Sequence, residues 1–197
     1  MTTDRTEGQR CADPRPGRRV LKLNPGEHAV TQDPETLLLT VLGSCVAACI
    51  RDPSAGVGGM NHFMLPESSD GRWGGGSSSL RYGNFAMQQL IHDLFRNGGR
   101  RERLEVKVFG GARIGQDAAN IGSRNADYVE QYLKAEGIVP VVRQLRGHRA
   151  QRVAYLPVSG RAFMVELEDA SLAIDPEAAL RGGFSREAGV PPVAIIL

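Results

Sequence analysis

Apolar positions along the chain follow two periods, one of strands and one of helices. Strand-like runs come first. VLKL (20–23) is short and ends at the turn Asn24-Pro25-Gly26. TLLLTVL (36–42) is a continuous apolar run, too short for a typical buried helix, and Gly43 breaks it. CVAACIR (45–51) and VGGMNHFML (57–65) flank the turn signal Asp52-Pro53-Ser54-Ala55-Gly56 and predict a hairpin stopped by Pro66. Helical spacing follows at Phe85, Met87, Leu90, Ile91, Leu94 and Phe95, within 82–97 and before Gly98-Gly99. LEVKVF (104–109) alternates like a strand and runs into Gly110-Gly111-Ala112. A second helix is expected over 123–136, with Ala126, Val129, Tyr132, Leu133 and Ala135 on its apolar side and Gly137 as its cap. Three more strand-like segments, 139–145, 151–156 and 162–167, surround a basic turn at Arg146-Gly147-His148-Arg149. Strand runs cluster rather than alternate with helices, which predicts an α+β sandwich of mixed sheets with two main helices.

The first 19 residues are rich in Arg, Asp and Pro and have no hydrophobic period, so 1–19 is expected to be a disordered tail carrying an incidental Cys11. Residues 20–197 are expected to be one domain, with 171–197 as a C-terminal extension of mixed composition. Residues 67–79 hold four Gly and five Ser, the composition of a flexible surface loop.

Composition narrows the function classes. At 197 residues and 41% hydrophobic, the chain is long and apolar enough to bury a core. Lys and Arg number 24 against 22 Asp and Glu, a net charge of +2 that gives no electrostatic case for nucleic acid. No run approaches the roughly 18 apolar residues of a membrane span. The N-terminal residues lack the apolar stretch of a secretory signal, so a cytoplasmic location is expected. Cys11, Cys45 and Cys49 are too few for a disulfide framework. In a reducing compartment, each ordered cysteine is then either core or reactive.

The hairpin decides which. A turn centred between Pro53 and Ser54 puts Cys45 directly opposite His62, on one face and about 4.5–5.5 Å apart at Cβ. A thiol needs a neighbouring base to become a nucleophile, and an imidazole can then return the proton to a leaving amine. Gly43-Ser44 before the cysteine suggests a tight bend whose amide N–H groups form an oxyanion hole. A third group usually orients the histidine, and among Thr36, Thr40 and Ser44 the best placed is Thr40, on the preceding strand. The alternative is that Cys45 is a small core residue and His62 a satisfied one. Cys49 shares the face of Cys45 but sits nearer the turn, and is expected to be core.

Other signals are weaker. Cys45, Cys49 and His62 do not make a zinc site, because a strand spreads the two cysteines about 13 Å apart. Phe109-Gly110-Gly111-Ala112 lacks the Lys-Ser/Thr of a phosphate loop. NIGSRN (120–125) precedes the second helix, where Ser123 or Asn125 is expected to act as a cap. The basic turn is expected to be a solvated face or a contact for an acidic surface.

In order along the chain, LGSCVAACIRDP (42–53), GGMNHFMLP (58–66), RYGNFAMQQLI (81–91), KVFGGA (107–112), NIGSRN (120–125) and VAYLPVSGRAF (153–163) together resemble the chemoreceptor glutamine deamidase family, CheD. The resemblance covers roughly residues 20–170. It implies a sandwich similar to the catalytic domain of cytotoxic necrotizing factor toxins. It also implies a nucleophile at Cys45, a general base at His62 and a third member at Thr40, five residues before the cysteine. The implied reaction converts receptor glutamine side chains to glutamate through a thioester, with no metal or organic cofactor. The implied partners are chemotaxis receptor cytoplasmic domains and a CheC-type phosphatase, with no nucleic acid and no membrane insertion. The same thioester route would accept a glutamyl methyl ester. The same residues also admit two other readings: a non-catalytic chemotaxis interaction module, and a hydrolase acting on a different protein amide.

Overall fold

A computed structural model describes residues 18–65, 78–114, 119–167 and 194–196. Most of the expected tail with Cys11, the Gly/Ser loop up to residue 77 and the extension over 171–193 lie outside the described residues. Among the described residues the strands are β1 (Arg19–Lys22), β2 (His28–Thr31), β3 (Thr36–Leu42), β4 (Val46–Asp52), β5 (Val57–Asn61), β6 (Glu105–Gly110), β7 (Val142–Leu145), β8 (Ala150–Leu156), β9 (Arg161–Leu167) and β10 (Ala194–Ile196). The helices are α1 (Ser78–Arg96) and α2 (Ala119–Ala135).

The strands form two five-stranded sheets, ordered β1-β3-β8-β9-β10 and β2-β5-β4-β6-β7. Both are mixed: β1 runs parallel to β3 and β6 parallel to β7, and the other pairs are antiparallel. This is the α+β sandwich expected from the clustering of strand runs.

Alternation along the strands assigns the layers. On β4, Val46, Ala48 and Ile50 join Met87, Leu90 and Leu94 of α1 and Val129 and Leu133 of α2 in one apolar cluster. Both helices therefore cover the outer face of the second sheet. The intervening residues, Ala47 and Cys49, pack with Leu38 and Leu42 of β3, Phe109 of β6, and Val153 and Tyr155 of β8 between the two sheets. The other face of β3 is buried as well, with Leu37, Leu39 and Val41 in a third cluster. A strand buried on both faces has no polar alternation, which is why 36–42 is apolar except for Thr36 and Thr40.

Several expectations shift. The α2 helix starts at Ala119, so Ser123 and Asn125 lie inside it rather than at its cap. The β2 strand carries no strong signal, because His-Ala-Val-Thr is a four-residue edge strand with every side chain half-buried. The expected strand over 139–145 begins only at Val142, and Val139 and Val141 are exposed.

The hairpin register also differs from expectation. Cys49 pairs with Met60, Asp52 with Val57, and Val46 bridges to Phe63. His62 therefore stands opposite Ala47, not opposite Cys45. The cause is the loop. Asp52 Oδ1 accepts the N–H of both Ser54 and Ala55, at 2.9 and 3.1 Å, and Gly56 closes the turn at φ 64°. Four residues, 53–56, are thereby held out of the ladder, where a turn centred between Pro53 and Ser54 leaves out two. The slip is by two positions, so faces are kept. Cys45 and His62 become diagonal neighbours on the inter-sheet face.

At the opposite end of the sandwich the sheets are tied by cations. Arg51 pairs with Glu105 and donates to the Val158 carbonyl, while the buried Lys107 donates to the Gly160 carbonyl at 2.7 Å. The turn joining β8 and β9 is thus clamped onto β4 and β6.

Candidate active site

The Cys45 end of the inter-sheet core is where polar groups replace apolar ones. Thr40 sits on β3 between Leu38 and Leu42, facing the second sheet, and is buried. Leu39 faces away, into the third cluster. Thr40 Oγ1 lies 2.8 Å from His62 Nδ1 and 2.8 Å from the Leu23 carbonyl oxygen. His62 Nδ1 is also 3.3 Å from the same carbonyl. A carbonyl only accepts, so this constellation places the proton on Nδ1. Thr40 gives its own hydrogen to Leu23 and receives the one from His62. Nε2 is left as the basic nitrogen, buried and without a hydrogen-bond partner among the described residues.

The backbone of His62 is held as firmly as its ring. Its N–H donates to the Glu27 carbonyl at 2.9 Å, and its carbonyl accepts the Gly26 N–H at 2.7 Å. The Asn24-Pro25-Gly26 turn therefore serves the site, with Gly26 at φ 90°. Next to His62, Asn61 Oδ1 accepts the Ala48 N–H, and its Nδ2 donates to the Ala86 carbonyl of α1.

Cys45 is partly buried at the bend between β3 and β4, against the inter-sheet cluster. Three successive carbonyls of this bend are captured. The Gly43 oxygen accepts the Ala112 N–H at 2.9 Å, the Ser44 oxygen accepts Asn125 Nδ2 at 2.8 Å, and the Cys45 oxygen accepts the Gly111 N–H at 2.7 Å. The glycines of the 107–112 and 120–125 motifs make this approach possible. Gly110 and Gly111 have φ 100° and 65°, and a Cβ on Gly122 would fall 2.2 Å from the Ala112 carbonyl oxygen. Asn125, read from sequence as a cap, is fully buried; its Oδ1 accepts the Leu65 N–H at 2.9 Å. No local sequence pattern reports that contact, since its partners lie far away along the chain.

Burial sets the electrostatics. It pushes the Cys45 thiol up to about 11, against the favourable approach of its own amide N–H. It pushes His62 down to about 4, against the Leu23 carbonyl and the charge of Glu27. The resting site is a neutral thiol beside a neutral imidazole. Cys49 is driven much further up by complete burial, so it is inert core, as expected.

The His62 shift predicts a pH effect on folding. A histidine whose folded pKa is lowered binds protons preferentially when unfolded, so its stabilisation is present above about 6.5 and is lost as pH falls towards about 4. Roughly 3 kcal/mol should disappear across that window. Urea unfolding at stepped pH measures it. A His62→Gln variant that lost stability just as steeply between the two limits would show that another group is responsible.

A partly exposed thiol, a tautomer-locked imidazole and a bend with captured carbonyls are groups that thiol-dependent acyl transfer can use. Comparison with known proteins narrows the class. Residues 64–166, just over half of the chain, match the family described as CheD chemotactic sensory transduction. A "Probable chemoreceptor glutamine deamidase CheD" of Rhodopseudomonas palustris is 55% identical over 81% of this chain and 75% of the relative. Proteins of the same description from Acidiphilium cryptum and Caulobacter vibrioides are 50% and 53% identical, covering 87% and 69% of this chain and 87% and 72% of theirs. The chain belongs to the CheD family. A solved Neisseria meningitidis structure, described as family-model DUF152, has a TM-score of 0.42 and 12% identity, covering 66% of this chain and 65% of that one. No helix among the described residues is long and apolar enough to cross a membrane.

Proposed function

We propose that this protein hydrolyses glutamine side chains of chemotaxis receptor cytoplasmic domains to glutamate and ammonia, with Cys45 as nucleophile, His62 as base and Thr40 as the residue that orients His62. Family membership supports the reaction class. The observation that carries the residue roles is the saturated Nδ1 and unpartnered Nε2 of His62, on the same sheet face as Cys45.

In this reading the proton leaves the Cys45 thiol for His62 Nε2 as the sulfur attacks the carboxamide carbon. Concerted transfer suits a site whose resting groups are both neutral. The oxygen that gains charge is met by the bend at Gly43 and Ser44, through the Cys45 amide N–H. His62 then protonates the departing ammonia, leaving a thioester. Water gives a proton to Nε2 and attacks the thioester carbon, and the thiol is restored as glutamate leaves. A glutamyl methyl ester would follow the same path and release methanol. No step needs a metal or an organic cofactor. A CheC-type phosphatase is the second partner that the family resemblance implies.

The test is mass spectrometry of a receptor cytoplasmic fragment after incubation with the protein. The expected result is amide-to-acid conversion at particular glutamines with release of ammonia. An unmodified fragment that still binds would favour the interaction module instead. Thr40→Val should lower kcat by roughly ten- to a hundredfold through loss of the ring's orienting partner, while Thr40→Ser keeps most of it. Equal activity in Thr40→Val and wild type would remove Thr40 from the proposal.

A further inference from the structure

We propose that Asn125 is a positioning residue for the oxyanion hole: by holding the Ser44 carbonyl, it aims the Cys45 amide N–H at the oxygen that becomes negative when Cys45 attacks. The inference rests on the cysteine nucleophile proposed above.

In a trans peptide the C=O and the following N–H point in opposite directions. Fixing a carbonyl therefore fixes the direction of the next residue's N–H. The bend obeys this rule where it can be checked: the Cys45 oxygen accepts from Gly111 on one side, and the Val46 N–H donates to the Phe63 carbonyl, 2.9 Å away, on the other. One residue earlier, the Ser44 oxygen is held at 2.8 Å by Asn125 Nδ2. The Cys45 N–H must then point away from α2, and it lies against its own sulfur. No carbonyl among the described residues takes that N–H. It is the donor left over where the new bond to sulfur would form.

The three captured carbonyls are not equivalent. Gly43 and Cys45 are held by backbone N–H groups of the 110–112 segment. Ser44, which shares its peptide with the Cys45 N–H, is held by a side chain. That side chain cannot turn over, because the Leu65 N–H needs the amide oxygen and the Ser44 oxygen needs the amide nitrogen. Asn125 is fully buried, and its bond to the Leu65 N–H is buried with it, while the bond to Ser44 is part-buried. Leu65 follows His62 by three residues, so one amide group spans the segments that carry nucleophile and base.

Two reagents separate this role from simple packing, and neither needs a receptor. Iodoacetamide alkylates the thiol by displacement: a carbon–sulfur bond forms, iodide leaves, and no oxyanion arises. p-Nitrophenyl acetate acylates it. Sulfur bonds to the carbonyl carbon, the thiol proton passes to His62 Nε2, an oxyanion forms and collapses, and p-nitrophenolate leaves. Asn125→Asp keeps an acceptor for the Leu65 N–H but, when ionised, has no proton for Ser44.

The expected result, at a pH above the burial-raised pKa of the new carboxyl and in Asn125→Ala at neutral pH, is acylation slowed by about a hundredfold, the cost of one mispositioned oxyanion donor, with alkylation of Cys45 close to wild type. Lowering the pH until the new carboxyl is protonated should recover acylation relative to wild type. Unchanged acylation overturns the proposal. So does alkylation that changes as much as acylation, or labelling of the buried Cys49, since either marks a general packing loss. If Asn125→Asp does not fold, Asn125→Ala carries the same comparison of the two rates. Assaying the wild type on a receptor fragment tests the deamidase reading separately, because the ratio of the two reagent rates is meaningful even if that assay is negative.

Discussion

Cys45→Ala is expected to lower deamidation by on the order of 10⁴-fold or more while leaving the protein folded. The loss follows from the roles proposed above: without sulfur no covalent intermediate would form, and the remaining hole and base would give only residual catalysis. Cys49 cannot substitute. It is fully buried at mid-strand, faces the other sheet, and burial holds its thiol far above the usual range. The fold should tolerate the change, because Cys45 is only partly buried and alanine removes one atom, costing about 1 kcal/mol. Cys45→Ser is the sharper variant. A hydroxyl is harder to deprotonate, and a His62 held down at about 4 is a weak base for it, so Ser should be nearly as inactive as Ala. Ammonia release and thermal unfolding on the same samples check both halves. Activity of Cys45→Ala within tenfold of wild type would reject the nucleophile.

The second large effect is on stability. Gly110→Ala is expected to cost on the order of 3 kcal/mol and to lower Tm by about 6–12 °C. Two causes add. The residue has φ 100°, which an L side chain rarely adopts, and its Cβ would sit 2.2 Å from the Cys45 carbonyl oxygen. Backbone, not a flexible side chain, would have to move. Gly98 separates the causes, because its φ is 90° but nothing lies within 4 Å of an added Cβ. Gly98→Ala should therefore cost only about 1 kcal/mol. Differential scanning calorimetry of both variants compares them. Equal losses would mean that the close approach to Cys45 carries no energy of its own. Activity in Gly110→Ala should fall further than the folded fraction does, since the displaced atom belongs to Cys45, the nucleophile proposed above.

What the sequence reveals depends on how local each cause is. TLLLTVL predicts β3 to its ends because burial on both faces leaves one unbroken apolar run between polar and glycine boundaries. Helix α1 is legible because its stripe meets a single sheet face. Strand β2 is not, since an edge strand of four half-buried residues has no period to detect. The Cys45–His62 pairing was inferred through a register displaced by two positions, and the shared face survives only because that displacement is even. Asp52 decides it: its side chain collects two loop amides, a choice made by hydrogen bonding rather than by hydrophobic pattern. Thr40 was reachable from its strand, but the lock on the His62 tautomer requires the Leu23 carbonyl, 39 residues away in sequence. Asn125 fails for the same reason. An asparagine near a helix start suggests a cap, and only tertiary structure turns it to Ser44 and Leu65.

The capture of three consecutive carbonyls by two separate elements has a consequence for inheritance. A bend tied to α2 and to the segment after β6 by three separate hydrogen bonds is insulated from small shifts elsewhere in the sandwich. Substitutions in the core away from Gly110, Gly111, Ala112 and Asn125 should therefore change how many working copies a cell holds, and not how fast each copy works. Dosage, more than turnover, is the quantity on which drift in this protein would be felt.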